Sequence, residues 1–234
     1  MSRIITPLLL GLPVLALLLW LGFWQLDRAD QKRALAVGYA AGVEAQPHRI
    51  VDAEDLLALP RHTPVIASGR YVSDRQILLD AQVHEGRVGY RVWTPFELAS
   101  GDWIAVDRGW VAAGSDRDRL PDVSVGGDAR EVAGLRVPLP EPGLRLGDAV
   151  APDATWPRRL VWPDLEDIAQ AWDRDVPGVL VLLTPEAPDG YVRAWAPAGM
   201  PAERHIGYAV QWFSLAAALV VIALVLGFRN RRHE

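Results

Sequence analysis

Two stretches without a charged side chain lie near the ends of this chain, one from Ile4 to Leu26 and the other from Ile206 to Phe228, each 23 residues long. About 20 consecutive apolar residues carry a helix across the hydrocarbon core of a bilayer. Within that core a helix also satisfies its own backbone hydrogen bonds, which an open strand does not. Both runs are therefore read as membrane-spanning helices, and residues 27–205 become a single segment held at both ends. Pro7 falls near the start of the first span, where a missing N–H costs little, and Pro13 is expected to kink it. A removable signal sequence is the alternative for the first run. Its length, and the lack of a small-residue cleavage site in "LGFWQLDRAD", favour a retained anchor.

The flanking charges set the direction. Arg3 and the N-terminal amine precede the first span, and Arg229, Arg231 and Arg232 follow the second. The positive-inside rule then places both termini in the cytoplasm and segment 27–205 outside it. The expected plan is residues 1–3 cytoplasmic, 4–26 spanning, 27–205 extracytoplasmic, 206–228 spanning and 229–234 cytoplasmic. Cysteine is absent, which excludes a disulfide framework and leaves the compartment to topology. The net charge is −5 while the short ends are basic, so the acidic excess lies on the middle segment and nucleic acid is not an expected partner.

That middle segment carries strand signals. "TPVIASGRYV", "RQILLDAQV", "VGYRVWTPFEL", "DWIAVDRGWV", "AREVAGLRVPL", "RRLVW", "GVLVLLTP" and "GYVRAW" are short apolar or alternating runs, separated by turn pairs such as Ser100-Gly101 and Asp189-Gly190. In "GDWIAVDRGW", Ile104, Val106, Arg108 and Trp110 fall on one face and Trp103, Ala105 and Asp107 on the other. Helical pieces are few: Ala29–Gly38 continuing the first span, Asp52–Leu59, and "PDLEDIAQAW" with Asp164 as cap. Residues 137–157, rich in Pro and Gly, read as a long loop. The fold class expected is a membrane-anchored α+β chain: two transmembrane helices flanking a mainly-β, barrel- or sandwich-like domain.

Enzyme signatures are missing. The chain has no P-loop, no dinucleotide-binding glycine fingerprint, no nucleophile elbow and no His-Glu-x-x-His pair, so no nucleotide and no enzyme class is indicated. With no Cys and only two Met there is no evident copper site. The carboxylates Asp74, Asp80, Asp102 and Asp107 are read mostly as solvated loop or strand-edge groups.

Several motifs in order carry a resemblance. "LGFWQLDRADQKRAL" leaving the first span, "SGRY", "GYRVWTPF" followed by "VDRGWV", and "RHIGYAVQWFSLA" entering the second span together resemble the surfeit locus protein 1 family, from about Leu21 to Arg229. These are assembly factors for haem–copper cytochrome c oxidase. Membership implies a non-enzymatic factor acting as haem A is delivered into oxidase subunit I, with subunit I, haem A synthase and the lipid bilayer as partners. It also makes His205 the candidate ligand for the iron of a transiently bound haem A. No Arg- and Ser-rich mitochondrial presequence is present, so a bacterial inner-membrane protein with a periplasmic domain is expected.

Antiparallel spans bring Trp24, Gln25, Arg28 and Lys32 towards His205, Tyr208, Gln211 and Trp212. On the reading that the resemblance implies, His205 ligates iron, Arg28, Lys32 or Arg204 pairs with propionates, and Trp24, Tyr208 and Trp212 cover the macrocycle. On the other reading the same residues form an ordinary interfacial belt, and the protein is a scaffold that holds assembly partners without touching haem. Spacing sets His205, Tyr208 and Trp212 on one face. Gly207, Gln211, Ser214 and Ala218 form a second stripe, expected to pack against Gly11, Leu15, Leu18, Gly22 and Gln25. In the outer domain, Trp93 and Trp110 are expected to fill the barrel or its rim. Arg91 attracts notice beside them, and Arg108 is expected to take a buried ion pair or strand-end hydrogen bonds, with partner docking as the other option. His48, His62 and His84 are placed on loops or helix ends.

Overall fold

The computed structural model describes residues 2–117, 119–140, 155–193, 195 and 200–231. It divides into two units, Met1–Tyr39 with Ala196–Glu234, and Ala40–Trp195. The first unit is a helical hairpin. Helix α1 runs unbroken from Ser2 to Glu44, and α4 from Ala202 to Arg231. Both are long and apolar enough to cross a membrane. At 1.5 Å per residue, the 43 residues of α1 extend about 65 Å, roughly twice the hydrocarbon thickness.

The two helices meet along a narrow seam. Gly22 and Ala29 are buried on α1, and Ala202, Ala209 and Ala216 recur at intervals of seven on α4. Small side chains let helix backbones approach where lipid supplies no hydrophobic drive. Phe213 occupies the notch left by Gly22, where an added Cβ would stand 2.6 Å from its ring. Phe23 meets the same ring edge-on at 5.2 Å. On α1 the expected stripe of Gly11, Leu15, Leu18, Gly22 and Gln25 is the more buried face. On α4 the face differs from expectation. Gly207, Gln211 and Ser214 are exposed, and Ser214 bonds its own helix at Val210 O. The buried positions of α4 are Ala202, Ala209 and Ala216 instead, so the amide of Gln211 is not buried in the seam where it would need a partner.

The second unit is a closed β-barrel with added strands. Its elements are β1 (His48–Ile50), α2 (Ala53–Ala58), β2 (Pro64–Tyr71), β3 (Ile77–His84), β4 (Arg87–Leu98), β5 (Trp103–Ala112), β6 (Arg130–Pro138), β7 (Arg158–Leu160), α3 (Leu165–Trp172) and β8 (Val179–Leu183). Strands β2, β6, β8, β5 and β4 pair in that order, and β4 returns to β2 through Gly69↔Leu98, Arg70↔Glu97 and Tyr71↔Phe96. Closure removes the exposed edges that an open sheet would present. Short β1 extends β2, and β3 with β7 extends β4, where those strands diverge. Seven of the eight expected strands form. "GYVRAW" contributes only a bridge from Val192 to Trp110. The eighth strand is β1, which has only three residues and no alternation to reveal it. Most of the expected loop 137–157 lies outside the described residues, and its first two residues end β6.

Both faces of the central strands are covered. Val65, Tyr71, Phe96, Ile104, Val106, Val132 and Val181 fill the barrel. On the outer face, α3 lays Ile168, Ala171 and Trp172 against Leu79, Trp93, Ala105 and Leu180. This explains why β8 reads as an uninterrupted "VLVLL" and not as an alternation. Helix α3 is held by a reciprocal capping box between Asp164 and Asp167, and Trp172 Nε1 donates to Arg75 O at 2.7 Å.

Barrel closure depends on Gly69, where an added Cβ would lie 2.0 Å from Glu97 O. Gly69→Ala must therefore push β2 from β4, and overpacking of this kind costs about 3 kcal/mol or more. Denaturant unfolding of the variant should show that loss, with faster amide exchange at Tyr71 and Leu98 than at β8.

Candidate functional site

In the helical hairpin, a polar contact joins the two helices. His205 Nδ1 and Gln25 Oε1 are 2.7 Å apart, both half-buried. The amide oxygen is an acceptor only, so Nδ1 carries the hydrogen, and a neutral imidazole then presents its lone pair at Nε2. Gln25 thereby fixes both the tautomer and the ring orientation, as a partner to a ligating histidine does. The antiparallel spans are expected to bring Gln25 towards His205, and the structure adds the specific hydrogen bond between them, which helical spacing alone does not give.

The other expected residues are placed as follows. Trp212 shares the half-buried face of His205, and its Nε1 is buried without an acceptor. Trp24 and Tyr208 are exposed. Arg28 lies over the Trp24 ring at 5.6 Å and donates to Gln31 Oε1 at 3.0 Å. Arg204 is exposed and Lys32 half-buried. The hairpin thus brings Gln25 to His205, and leaves two arginines and two aromatic rings open around the same ends of the helices.

The outer domain has a different polar centre. Asp107, read from sequence as one of the mostly solvated carboxylates, is wholly inaccessible to water. It lies on the β5 face shared with Trp103 and Ala105, which is covered by α3, so alternation was the available signal. Its Oδ2 accepts from Trp93 Nε1 at 2.8 Å and pairs with Arg91 Nη2 at 2.6 Å, and its Oδ1 accepts the Gly109 amide at 3.0 Å. Burial pushes the Asp107 carboxyl above its ordinary range, while Arg91, the Gly109 amide and the Trp93 indole pull it back. Gly109 has φ +110, and an added Cβ would meet Val192 O at 2.7 Å, so the Asp-Arg-Gly-Trp run requires glycine there.

Arg108 points to the opposite face. Its Nε donates to Asp189 O at 2.7 Å and Nη1 to Val123 O at 2.9 Å, with the Tyr71 and Tyr191 rings 5.5 and 5.1 Å from its guanidinium carbon. Strand-end hydrogen bonds, one of the two structural roles expected, are what Arg108 makes. Burial pushes the Tyr71 phenol up to about 12, so it stays neutral beside the cation. Trp93 and Trp110 are buried, but Trp93 packs on the outer face of the sheet against α3 and not inside the barrel. His48 faces Asp55 at 3.2 Å, and His84 stacks near Trp110 at 5.2 Å.

Two spanning-length helices, one before and one after a β-barrel domain in the sequence, mark a membrane-anchored protein. The SURF1 family model matches residues 12–217, and the chain belongs to that family. It is similar to a SURF1-like protein of Rickettsia felis, 26% identical over 89% of this chain and 91% of that one. It is also similar to a SURF1-like protein of Monosiga brevicollis, 26% identical over 93% and 85%. A further relative is the cytochrome oxidase assembly protein SHY1 of Saccharomyces cerevisiae, 22% identical over 73% of this chain and 44% of that protein.

Removing one partner of a buried ion pair is strongly destabilising, and the partial exposure of Arg91 moderates it. Asp107→Ala should cost about 3 kcal/mol in denaturant unfolding, and Asp107→Asn, which keeps an acceptor for Trp93, distinctly less.

Proposed function

We propose that this chain is an assembly factor for haem–copper cytochrome c oxidase, and that it carries haem A as cargo at the ends of its two helices during delivery to subunit I. Family membership and the named role of the yeast relative support the assembly role. The single observation that carries the haem reading is the 2.7 Å contact between His205 and Gln25, which leaves Nε2 as the free ligating nitrogen. Bound there, the haem would supply only an open iron coordination position for that nitrogen. The rest of the work belongs to the protein. Gln25 orients the imidazole, exposed Arg28 and Arg204 offer guanidinium forks to the propionates, and Trp24 and Tyr208 cover apolar ring surface. Trp212 Nε1, buried without an acceptor, fits a polar substituent entering between the helices.

The protein on this reading is non-enzymatic. Its barrel stands in the periplasm of a bacterium, both termini are in the cytoplasm, and haem A synthase is the donor-side partner. The arginines flanking the two spans support that orientation. One observation favours a scaffold role without haem: Gly207, Gln211 and Ser214 form an exposed stripe on α4, suited to a partner's spanning helix.

Co-expression with the haem A biosynthetic enzymes should yield purified protein with a Soret band. His205→Ala should abolish it and Gln25→Leu should weaken haem retention about tenfold or more. Stoichiometric haem retained in His205→Ala would remove the ligand assignment. Normal oxidase assembly by that variant, with loss in Gln211→Leu, would select the scaffold.

A further inference from the structure

We propose that the outer domain holds a separate binding site for a carboxylate group, in a small pocket where β3, β4 and β5 meet beside Trp195. The pocket has a volume of about 110 Å³, and Gln82, His84, Arg91, Trp110, Val192 and Trp195 line it. It lies wholly within the barrel unit and does not depend on haem binding.

The backbone is shaped for it. The β3–β4 register shifts between Leu79 and Gln82, with Ala81 at φ +57, and the β4–β5 register shifts between Arg91 and Trp93. Bulges re-aim side chains and concentrate near functional sites. Here both shifts fall at lining residues. Opposite them Gly89 carries no Cβ, and one added there would stand 2.5 Å from the Trp110 ring. Trp110 lies over that glycine, and its Nε1 donates to Gln82 O at 3.1 Å. Trp195 Nε1 donates to Leu183 O at 2.7 Å. Both indole N–H groups are engaged, so the two walls offer apolar ring surface.

The polar lining is one guanidinium, one imidazole and one amide, with no carboxylate among the lining residues. Asp107 holds the inner edge of the Arg91 guanidinium at 2.6 Å and is itself fully buried, while the Arg91 side chain is 30% exposed. The Trp195 ring supports the guanidinium from one side, 4.6 Å from its carbon. Arg91 is therefore fixed on a buried anion behind and open in front. A planar, pre-oriented guanidinium matches a carboxylate in two parallel hydrogen bonds. His84 stands at the same opening, its ring 5.2 Å from Trp110. The volume is far below that of a cofactor or nucleotide site, and suits the head and short stem of an aliphatic acid. A free acid and an acidic protein side chain share that chemistry.

The test uses the full chain in detergent, labelled with 5-fluorotryptophan and followed by fluorine NMR. The Trp110 and Trp195 resonances should shift saturably with propionate and not with methyl propionate. N-acetylglutamate α-amide binding more tightly than propionate would identify an acidic side chain as the natural occupant, and the reverse a free acid. Arg91→Lys keeps the pair with Asp107 but loses the planar fork, and should weaken propionate binding about tenfold. His84→Ala should weaken it several-fold. An unmoved Trp172 resonance reports that both variants are folded. Absence of a saturable shift, equal shifts with the ester, or unchanged affinity in both folded variants would overturn the site.

Discussion

A single carboxylate without access to water organises the outer domain. Asp107 is surrounded by the Trp93 indole, the Arg91 guanidinium and the Gly109 amide, and each of those groups is placed by what it gives to Asp107. An unpaired charge in this position would cost several kcal/mol, so its three donors are obligatory. The consequences spread along both strands. Gly109 is held at positive φ, which turns Arg108 across the barrel to the carbonyls of Val123 and Asp189. The register between β4 and β5 shifts at the same point, which brings Arg91 to the surface beside Trp195.

The helical hairpin obeys a different constraint. In hydrocarbon the solvent offers no hydrogen bonds, and apolar contact with lipid is as favourable as contact with another helix. Shape then decides the seam: Phe213 enters the notch at Gly22, and alanines seven residues apart keep α4 close. With the helices in this register the Gln25 amide faces His205, and this polar pair becomes a device for orienting an imidazole.

Much of this was legible in advance for stated reasons. Charge-free runs of 23 residues marked the two long helices, and alternation with turn pairs marked seven strands. Asp164 announced the start of α3, since an N-cap is a local interaction, and the structure adds Asp167 as its reciprocal partner. The opposed faces of β5 were read correctly as far as Arg108, with Ile104 and Val106 inside the barrel and Ala105 outside, but the register shift pairs Trp110 with Arg91 and carries it to the Asp107 face. Three errors share one cause. Asp107 was grouped with solvated carboxylates, "GYVRAW" was read as a strand, and Gly207, Gln211 and Ser214 were assigned to the helix seam. Each depends on which distant residues cover a given face, and periodicity in one segment does not carry that information.

By itself, then, the sequence determined the family, the two spanning-length helices and a mainly-β domain between them, because hydropathy, turn chemistry and motif order are written locally. Only the tertiary structure decided which polar groups meet. The pairing of Gln25 with His205, 180 positions apart, and the enclosure of Asp107 among Trp93, Arg91 and Gly109 follow from helix register and strand pairing. Those are properties of packed surfaces, where fit between remote side chains sets the outcome.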